Sequence, residues 1–205
     1  MDESLRFMTV LDAKAEWLNG KQRNDTSQFG EDGLSESVFA HIGETNRWCF
    51  EVGAADGLFY SNTKRLRDLG WNAVLIEADG RLASECRRFE NDKVKVVHGR
   101  IGGESLDAIL ARCGSPSDPD FGVIDIDGQD YWAWKALVAA PRVMLVEFMY
   151  LNDNMTDPGF IPPLNGAGQA GFDAIVGLGV EKGYTAIAST FCNVLFVRND
   201  VWASS

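Results

Sequence analysis

The chain has 205 residues, with nineteen Lys and Arg against thirty Asp and Glu and a formal charge of −11 at neutral pH. Hydrophobic residues make up 45% and charged residues 24%, which suits one buried core and excludes disordered, collagen-like and small disulfide-scaffold classes. The acidic excess would repel nucleic acid and anionic membranes, leaving small molecules or a protein as partners. No apolar run approaches about 18 residues, so no membrane span is expected. The acidic start Met1-Asp2-Glu3 leads into no apolar signal core, and a cytoplasmic location is expected. Cys49, Cys86, Cys113 and Cys192 include no close-spaced pair. They fit buried thiols in a reducing compartment better than a zinc finger.

From the N-terminus, Leu5, Met8, Leu11, Ala15 and Leu18 fall at helical spacing and predict a helix that stops near Gly20. Lys21 to Thr26 reads as a polar loop. A second helix is expected after Asp32 as N-cap, with Leu34, Val38 and Ile42 on one face. Strands follow at Trp48–Val52, Ala73–Glu77, Val94–His98, Gly122–Ile126 and Val143–Phe148, the spacing of successive βαβ units. Between them, helices are expected around Leu66 and Leu69 after an Asn62 N-cap, around Leu82, Cys86 and Phe89, around Leu106, Ile109 and Leu110, and around Trp134, Leu137 and Val138. Near-continuous apolar strands such as Ala73-Val74-Leu75-Ile76 mark a parallel sheet covered on both faces. A helix around Phe172, Ile175 and Val176 precedes two strands, Tyr184–Thr190 and Val194–Arg198. Only Phe191-Cys192-Asn193 separates those strands, too little for a parallel crossover, so they form an antiparallel hairpin. The expectation is one α/β domain, a doubly wound, mostly parallel sheet with an antiparallel last strand. Residues 1–45 would be an N-terminal helical segment and 46–200 the core. Leu151–Ala170, rich in Pro and Gly, reads as a binding loop or lid.

Candidate chemistry collects at the carboxyl ends of the predicted strands, where such sheets bind ligands. Glu51-Val52-Gly53-Ala54-Ala55-Asp56-Gly57 follows a strand and offers two glycines for close ligand approach, but lacks the G-x-G-x-x-G pattern of a nicotinamide site. Its acidic side chains suit a cationic or hydroxyl-rich ligand. Glu77, twenty residues after Gly57, is placed to accept hydrogen bonds from ribose hydroxyls. His98-Gly99-Arg100-Ile101 could flank an adenine, and His98 is also a candidate base. Asp125-Ile126-Asp127-Gly128-Gln129-Asp130-Tyr131 is the most acidic strand end. Asp125 and Asp127 would share one side of an extended strand, and clustered carboxylates call for a cation or a proton. Asp125 with Glu147 on the next strand is a candidate Mg²⁺ pair. Trp132 and Trp134 read as core or cleft wall.

These residues resemble the class I S-adenosylmethionine-dependent methyltransferases, and more narrowly the FkbM-like group, over roughly Ser27 to Asp200. The resemblance rests on Ser27-Gln28-Phe29-Gly30-Glu31-Asp32-Gly33, Phe50-Glu51-Val52-Gly53, Asp56-Gly57, Ser61-Asn62-Thr63, Gly70-Trp71, Ile76-Glu77 and Asn193-Val194-Leu195-Phe196-Val197-Arg198. It implies a seven-stranded Rossmann-like sheet and S-adenosylmethionine as cofactor. Gln28, Glu51, Gly53, Asp56, Gly57, Asn62, Glu77, Ala78, Arg100, Ile101 and Asp125 would surround that cofactor. The stretch Asp125-Ile126-Asp127 with Asp130-Tyr131 also resembles metal-dependent catechol-type O-methyltransferases, in which the first Asp binds metal. Glu147-Phe148 and Met149 depart from the Asp-Asn and Asn expected there. Asp125, Asp127, Asp130 and Glu147 are the catalytic candidates. The implied activity is O-methylation of a small hydroxylated molecule such as a sugar or natural product. The alternative is a non-catalytic binding module of the same fold. Homo-oligomerisation is left open.

Overall fold

The short apolar runs pair with one another in one sheet, and the segments between them coil onto its two faces. The computed structural model describes residues 8–101, 105–149 and 157–205. The strands are β1 (Thr9–Val10), β2 (Trp48–Val52), β3 (Asn72–Glu77), β4 (Val94–His98), β5 (Phe121–Ile124), β6 (Val143–Glu147), β7 (Tyr184–Ser189) and β8 (Asn193–Arg198). They form an eight-stranded sheet in the order β1-β7-β8-β6-β5-β2-β3-β4. β2 to β6 run parallel, whereas β8 is antiparallel to β6 and to β7. The chain leaves β2 for β3 and β4, then crosses back to β5. That reversal opens a crevice at the carboxyl ends of β2 and β5.

Every central strand feeds two cores, because successive side chains point to opposite faces. Leu75, Val123, Leu145 and Leu195 pack on one face under α1 (Glu31–Ile42), α2 (Lys64–Asp68) and α3 (Gly80–Cys86). Val74, Ile76, Ile124 and Phe196 pack on the other under α4 (Leu106–Arg112), α5 (Asp130–Ala136) and α6 (Phe172–Glu181). α7 (Asn199–Trp202) closes the chain. Gly122 is small for a reason: a β-carbon there would meet the Phe50 ring and the Met144 sulfur.

Several expectations are corrected. The predicted N-terminal helix is not formed across Met8 to Leu18. Thr9–Val10 instead extends the sheet antiparallel to Ala188–Ser189, and only Ala13–Leu18 coils, as a 3-10 turn capped by Asp12. Leu5 lies outside the described residues. The sheet thereby gains an eighth strand. Asp32 sits inside α1 rather than capping it; Gly30 is the N-cap. Thr63, not Asn62, is the N-cap of α2. β5 ends at Ile124, two residues earlier than expected, so Asp125 and Asp127 leave the strand and share no strand face. Cys49 and Cys86 are buried, but Cys113 and Cys192 are only half-buried. Among the described residues no helix is long and apolar enough to cross a membrane.

A buried ion pair fixes the edge opposite the crevice. Asp120, fully buried, accepts hydrogen bonds from the Thr45, Asn46 and Arg47 amides, from the Thr45 hydroxyl at 2.6 Å and from Arg142 Nη1 at 2.9 Å. Burial alone would raise its pKa. The Thr45 hydroxyl, the Arg47 amide and the Arg142 guanidinium outweigh burial and hold it below the ordinary carboxylate range. A depressed carboxylate adds stability that is present above its unfolded pKa and lost as pH falls through the folded value. Asp120→Ala, which strands Arg142, should therefore cost about 3–5 kcal/mol in urea unfolding near neutral pH. The gap from wild type should narrow in acid. An equal gap at acid and neutral pH would contradict this account.

Candidate active site

The crevice is a cavity of about 820 Å³ that spans the carboxyl ends of β4, β3, β2, β5 and β6. Its centre is the turn after β2. Gly53 (φ +86°) and Ala54 both donate to the Ile76 carbonyl, and the Asp125 amide donates to Val52 O. A β-carbon on Gly53 would run into the Asp125 carbonyl oxygen, so only glycine lets β2 and β5 close here. Glu77 ties this turn to the next strand end. Its two oxygens accept from the Ala55 amide at 2.8 Å and the Asp79 amide at 2.7 Å. Each oxygen keeps a further lone pair, and the side chain lines the cavity beside Ala78. Arg100 and Ile101 line the same end.

Three carboxylates line the opposite end: Asp125, Asp127 and Glu147. Asp125 and Glu147 hydrogen-bond to each other. Burial first, and then neighbouring negative charge (chiefly Asp130 for Asp125, and Asp125 for Glu147), pushes both pKa values up, so the pair retains a proton where lone carboxylates would be ionised. Glu147 Oε2 also accepts from Gln169 Nε2 at 2.7 Å and from the Asp127 amide at 3.2 Å. Asp127 is exposed, in the left-handed region (φ 54°). Among the described residues no group of three His, Cys, Asp or Glu side chains is arranged to hold a metal ion. Asp125 and Glu147 satisfy one another, and the position after Glu147 carries no oxygen donor. Phe148 is buried against Phe172. The donor set does not fit the expected Mg²⁺ site.

Other candidates serve the walls instead of the cavity. Glu51 lies beneath the turn, 2% exposed, and accepts from the Ser61 and Thr63 hydroxyls and the Asn62 amide, each at 2.7 Å. Its burial pushes its pKa up, opposed by Arg67 and these donors. The Asn62 side chain is buried as well. Asp56 accepts from the Leu58 and Phe59 amides and pairs with Arg88 at 2.7 Å. Gly57 (φ +74°) packs on Cys86 and Phe89. Asp130 begins α5, 1% exposed, and accepts from the Ile126 and Gly128 amides. Burial pushes its pKa up to about 6, and it is not among the residues that line the cavity. Glu51, Asp56, Gly57 and Asn62, expected around the cofactor, and Asp130, a catalytic candidate, are not among the residues that line the cavity; in this structure they support its walls. His98 is exposed and bonds the Ala78 carbonyl. Trp134 is core, whereas the Trp132 indole donates to Pro162 O.

The Ser27–Gly33 segment explains its own spacing. Asp32 Oδ2 accepts from the Asp25, Thr26 and Ser27 amides, and Ser27 Oγ accepts from the Asp32 amide. Glu31 accepts from Thr190 and Asn193 on the last hairpin. This fold of the segment delivers Gln28 to the cavity wall.

Sequence reasoning missed Phe59, Tyr60, Gln129 and Cys192 as lining residues, and missed which part of the long loop faces the cavity. Phe59 and Tyr60 are 72% and 62% exposed. Backbone conformation gives a signal that sequence did not: among the described residues the non-glycine ones with positive φ are Arg47, Ala55, Tyr60, Asp127 and Asn165, and all but Arg47 line the cavity. Such conformations cluster at functional sites. The loop from Asp157 to Ala170 reaches the cavity with Asn165, Gly166, Ala167 and Gly168. Residues 150–156 of the predicted loop lie outside the described residues. Gln129 clamps the loop: its amide donates to Gly166 O at 2.9 Å and its oxygen accepts from the Asn165 amide at 2.8 Å. Gln169 fastens the far end to Glu147.

Removing the Gln129 clamp deletes these bonds at about 1 kcal/mol each. Gln129→Ala should speed amide exchange in residues 160–169 by roughly tenfold or more while leaving β2 to β6 unchanged. Unchanged exchange in that loop would show that Gln129 does not hold it.

No family model matches the chain, and no curated protein matches it. Solved structures do. Magnesium protoporphyrin IX methyltransferase from Synechocystis PCC 6803, with bound S-adenosylhomocysteine, is 14% identical with a TM-score of 0.53, covering 82% of this chain and 81% of that one. The N-terminal domain of EvdMO1, also with S-adenosylhomocysteine, is 12% identical with a TM-score of 0.52, covering 82% and 80%. An O-methyltransferase from Bacillus cereus in complex with S-adenosylhomocysteine is 20% identical with a TM-score of 0.50, covering 90% of each. At such identity the likeness speaks for the fold alone. The chain has the fold of the class I S-adenosylmethionine-dependent methyltransferases.

Proposed function

We propose that the chain binds S-adenosylmethionine and transfers its methyl group to an oxygen of a small hydroxylated molecule, as an FkbM-like methyltransferase of a sugar or natural product. The observation that carries this reading is the convergence of the bare Gly53 turn, the Glu77 carboxylate and the Asp125–Glu147 pair on one cavity. Glu77 suits the ribose hydroxyls, since it has free lone pairs and is held in place by two amides. Ala78, Gly99, Arg100 and Ile101 suit the adenine end. Gly53 to Ala55 and Asp125 suit the methionine end, with Gln28 above.

The cofactor, when bound, supplies a methyl group already activated on a sulfonium. The chain's own task is to align the acceptor and take up its proton. In the transfer the sulfur–methyl bond breaks as the oxygen–methyl bond forms, and the hydroxyl proton leaves. The ionised member of the Asp125–Glu147 pair is the group of raised proton affinity in the cavity, and it accepts that proton. The Gln129-clamped loop supplies the wall against which the acceptor rests.

Calorimetry with S-adenosylhomocysteine tests the cofactor assignment. Wild type should bind at one site. Glu77→Gln and Glu77→Ala should weaken binding by roughly 10- to 100-fold, the loss of charge-assisted hydrogen bonds. Failure of correctly folded wild type to bind would overturn the proposal.

A further inference from the structure

We propose that the acceptor carries a positive charge: a hydroxylated ring bearing a protonated amine, with the hydroxyl methylated and the ammonium held by the carboxylates beneath it. This rests on the cofactor reading above and adds the charge class of its second substrate.

The argument is one of charge placement. The β5–β6 end of the cavity holds Asp125, Asp127 and Glu147. The cation among the described lining residues is Arg100, just beyond β4. β4 is four strands from β6 in the sheet order, which at about 4.8 Å per strand is roughly 19 Å. That exceeds the Debye length at physiological salt, about 8 Å. The sequence extends the point to the whole loop: no Lys, Arg or His occurs between Arg142 and Lys182, nor between Phe121 and Tyr131. The β5 turn, the β6 end and the lining residues Asn165 to Gly168 therefore offer an anion no cationic side chain. A phosphate or carboxylate on the acceptor would be repelled by Asp127 and by the ionised member of the Asp125–Glu147 pair, with no side chain of positive charge to compensate.

A second feature of the cavity independently favours a cation. Phe59 and Tyr60 line it, yet keep 72% and 62% of their surface exposed. Tyr60 is held in the left-handed region (φ 58°), which costs about 1–3 kcal/mol at a non-glycine residue. Large exposed rings that line a cavity provide faces on which a ring stacks and to which an ammonium is attracted. The −11 net charge steers small cations in the same direction. A neutral ring could use the aromatic faces alone. The carboxylate floor adds a preference between rings that differ only in charge.

Two probe sets distinguish these cases on the full chain saturated with S-adenosylhomocysteine, where the amines are protonated. One is tyramine, p-cresol and 4-hydroxyphenylacetate; the other is glucosamine, glucose and glucuronate. S-Adenosylhomocysteine affinity is measured first on every protein, so that failure of the cofactor reading is seen separately. In at least one set the cation should bind about tenfold or more tighter than the anion, with the neutral compound between them. Asp127→Asn, whose side chain tolerates the left-handed backbone, should shrink that ratio severalfold. Phe59→Ala should weaken all members of the binding set alike. The proposal is overturned if the anion binds as tightly as the cation, if Asp127→Asn leaves the ratio intact, or if neither cation binds at about 10 mM.

Discussion

At Gly53 the chain turns out of β2 with its α-carbon against the main-chain oxygen of Asp125, while the Asp125 amide donates to Val52 O. This backbone contact leaves no room for a side chain, and most of the site is arranged around it. It brings the β2 turn and the β5 turn within one cavity. It also delivers Asp125 beside Glu147 on β6, the neighbouring strand of the sheet. Because Gly53 and Ala54 also bond the Ile76 carbonyl, the same turn is locked to β3 and to Glu77 just beyond. Strand ends carrying ligand-type side chains thus share one geometry, set by main-chain bonds that do not depend on which ligand enters.

The carboxylates of this chain fall into two physical kinds, and sequence could not separate them. Glu51, Asp32 and Asp120 are buried and receive several donors each. They organise loops, and each would be costly to leave unpaired. Asp125, Asp127 and Glu147 instead crowd one another. No donor among the described residues reaches the Asp127 carboxylate. In sequence Glu51 and Glu77 look alike, each an acid at the end of an apolar strand. Both point to one face of the sheet, because Glu51 pairs with Leu75, two residues before Glu77; what separates them is depth along the strands and the path of the next loop. Glu51 falls under the Ser61–Thr63 segment, whereas Glu77 falls at the cavity rim. The strand-end positions were readable. The partners were not, because they depend on where residues ten or more positions away return.

Periodicity was a sound guide wherever a segment's partners are local or the sheet is covered on both faces. The central strands, the interleaved helices and the final antiparallel hairpin were legible for that reason. The N-terminus was not. Thr9 and Val10 are β-branched, but two residues make no strand pattern. Their partners, Ala188 and Ser189, lie at the other end of the chain. The apolar residues of that segment, Val10, Ala15 and Leu18, do face the core. They do so from a strand and a 3-10 turn instead of one continuous helix. The loop contacts of Gln129 and Gln169 were illegible for a related reason. A glutamine side chain bonding distant backbone carries no spacing signal.

A cavity that concentrates like charge is disfavoured by folding alone, since repulsion and desolvation both act against it. This chain shows that it can satisfy carboxylates when the fold needs them, as around Asp120. It does not do so at the β5–β6 end. There, a proton shared between Asp125 and Glu147 and the Gln169 and Asp127 amides provide only partial relief. Phe59 and Tyr60, which line the same cavity, are themselves incompletely buried. On the proposed reading, a positively charged acceptor neutralises the carboxylates that folding leaves crowded. Binding energy would then come from completing what folding leaves unfinished, so that affinity and methyl-acceptor alignment arise from the same contacts.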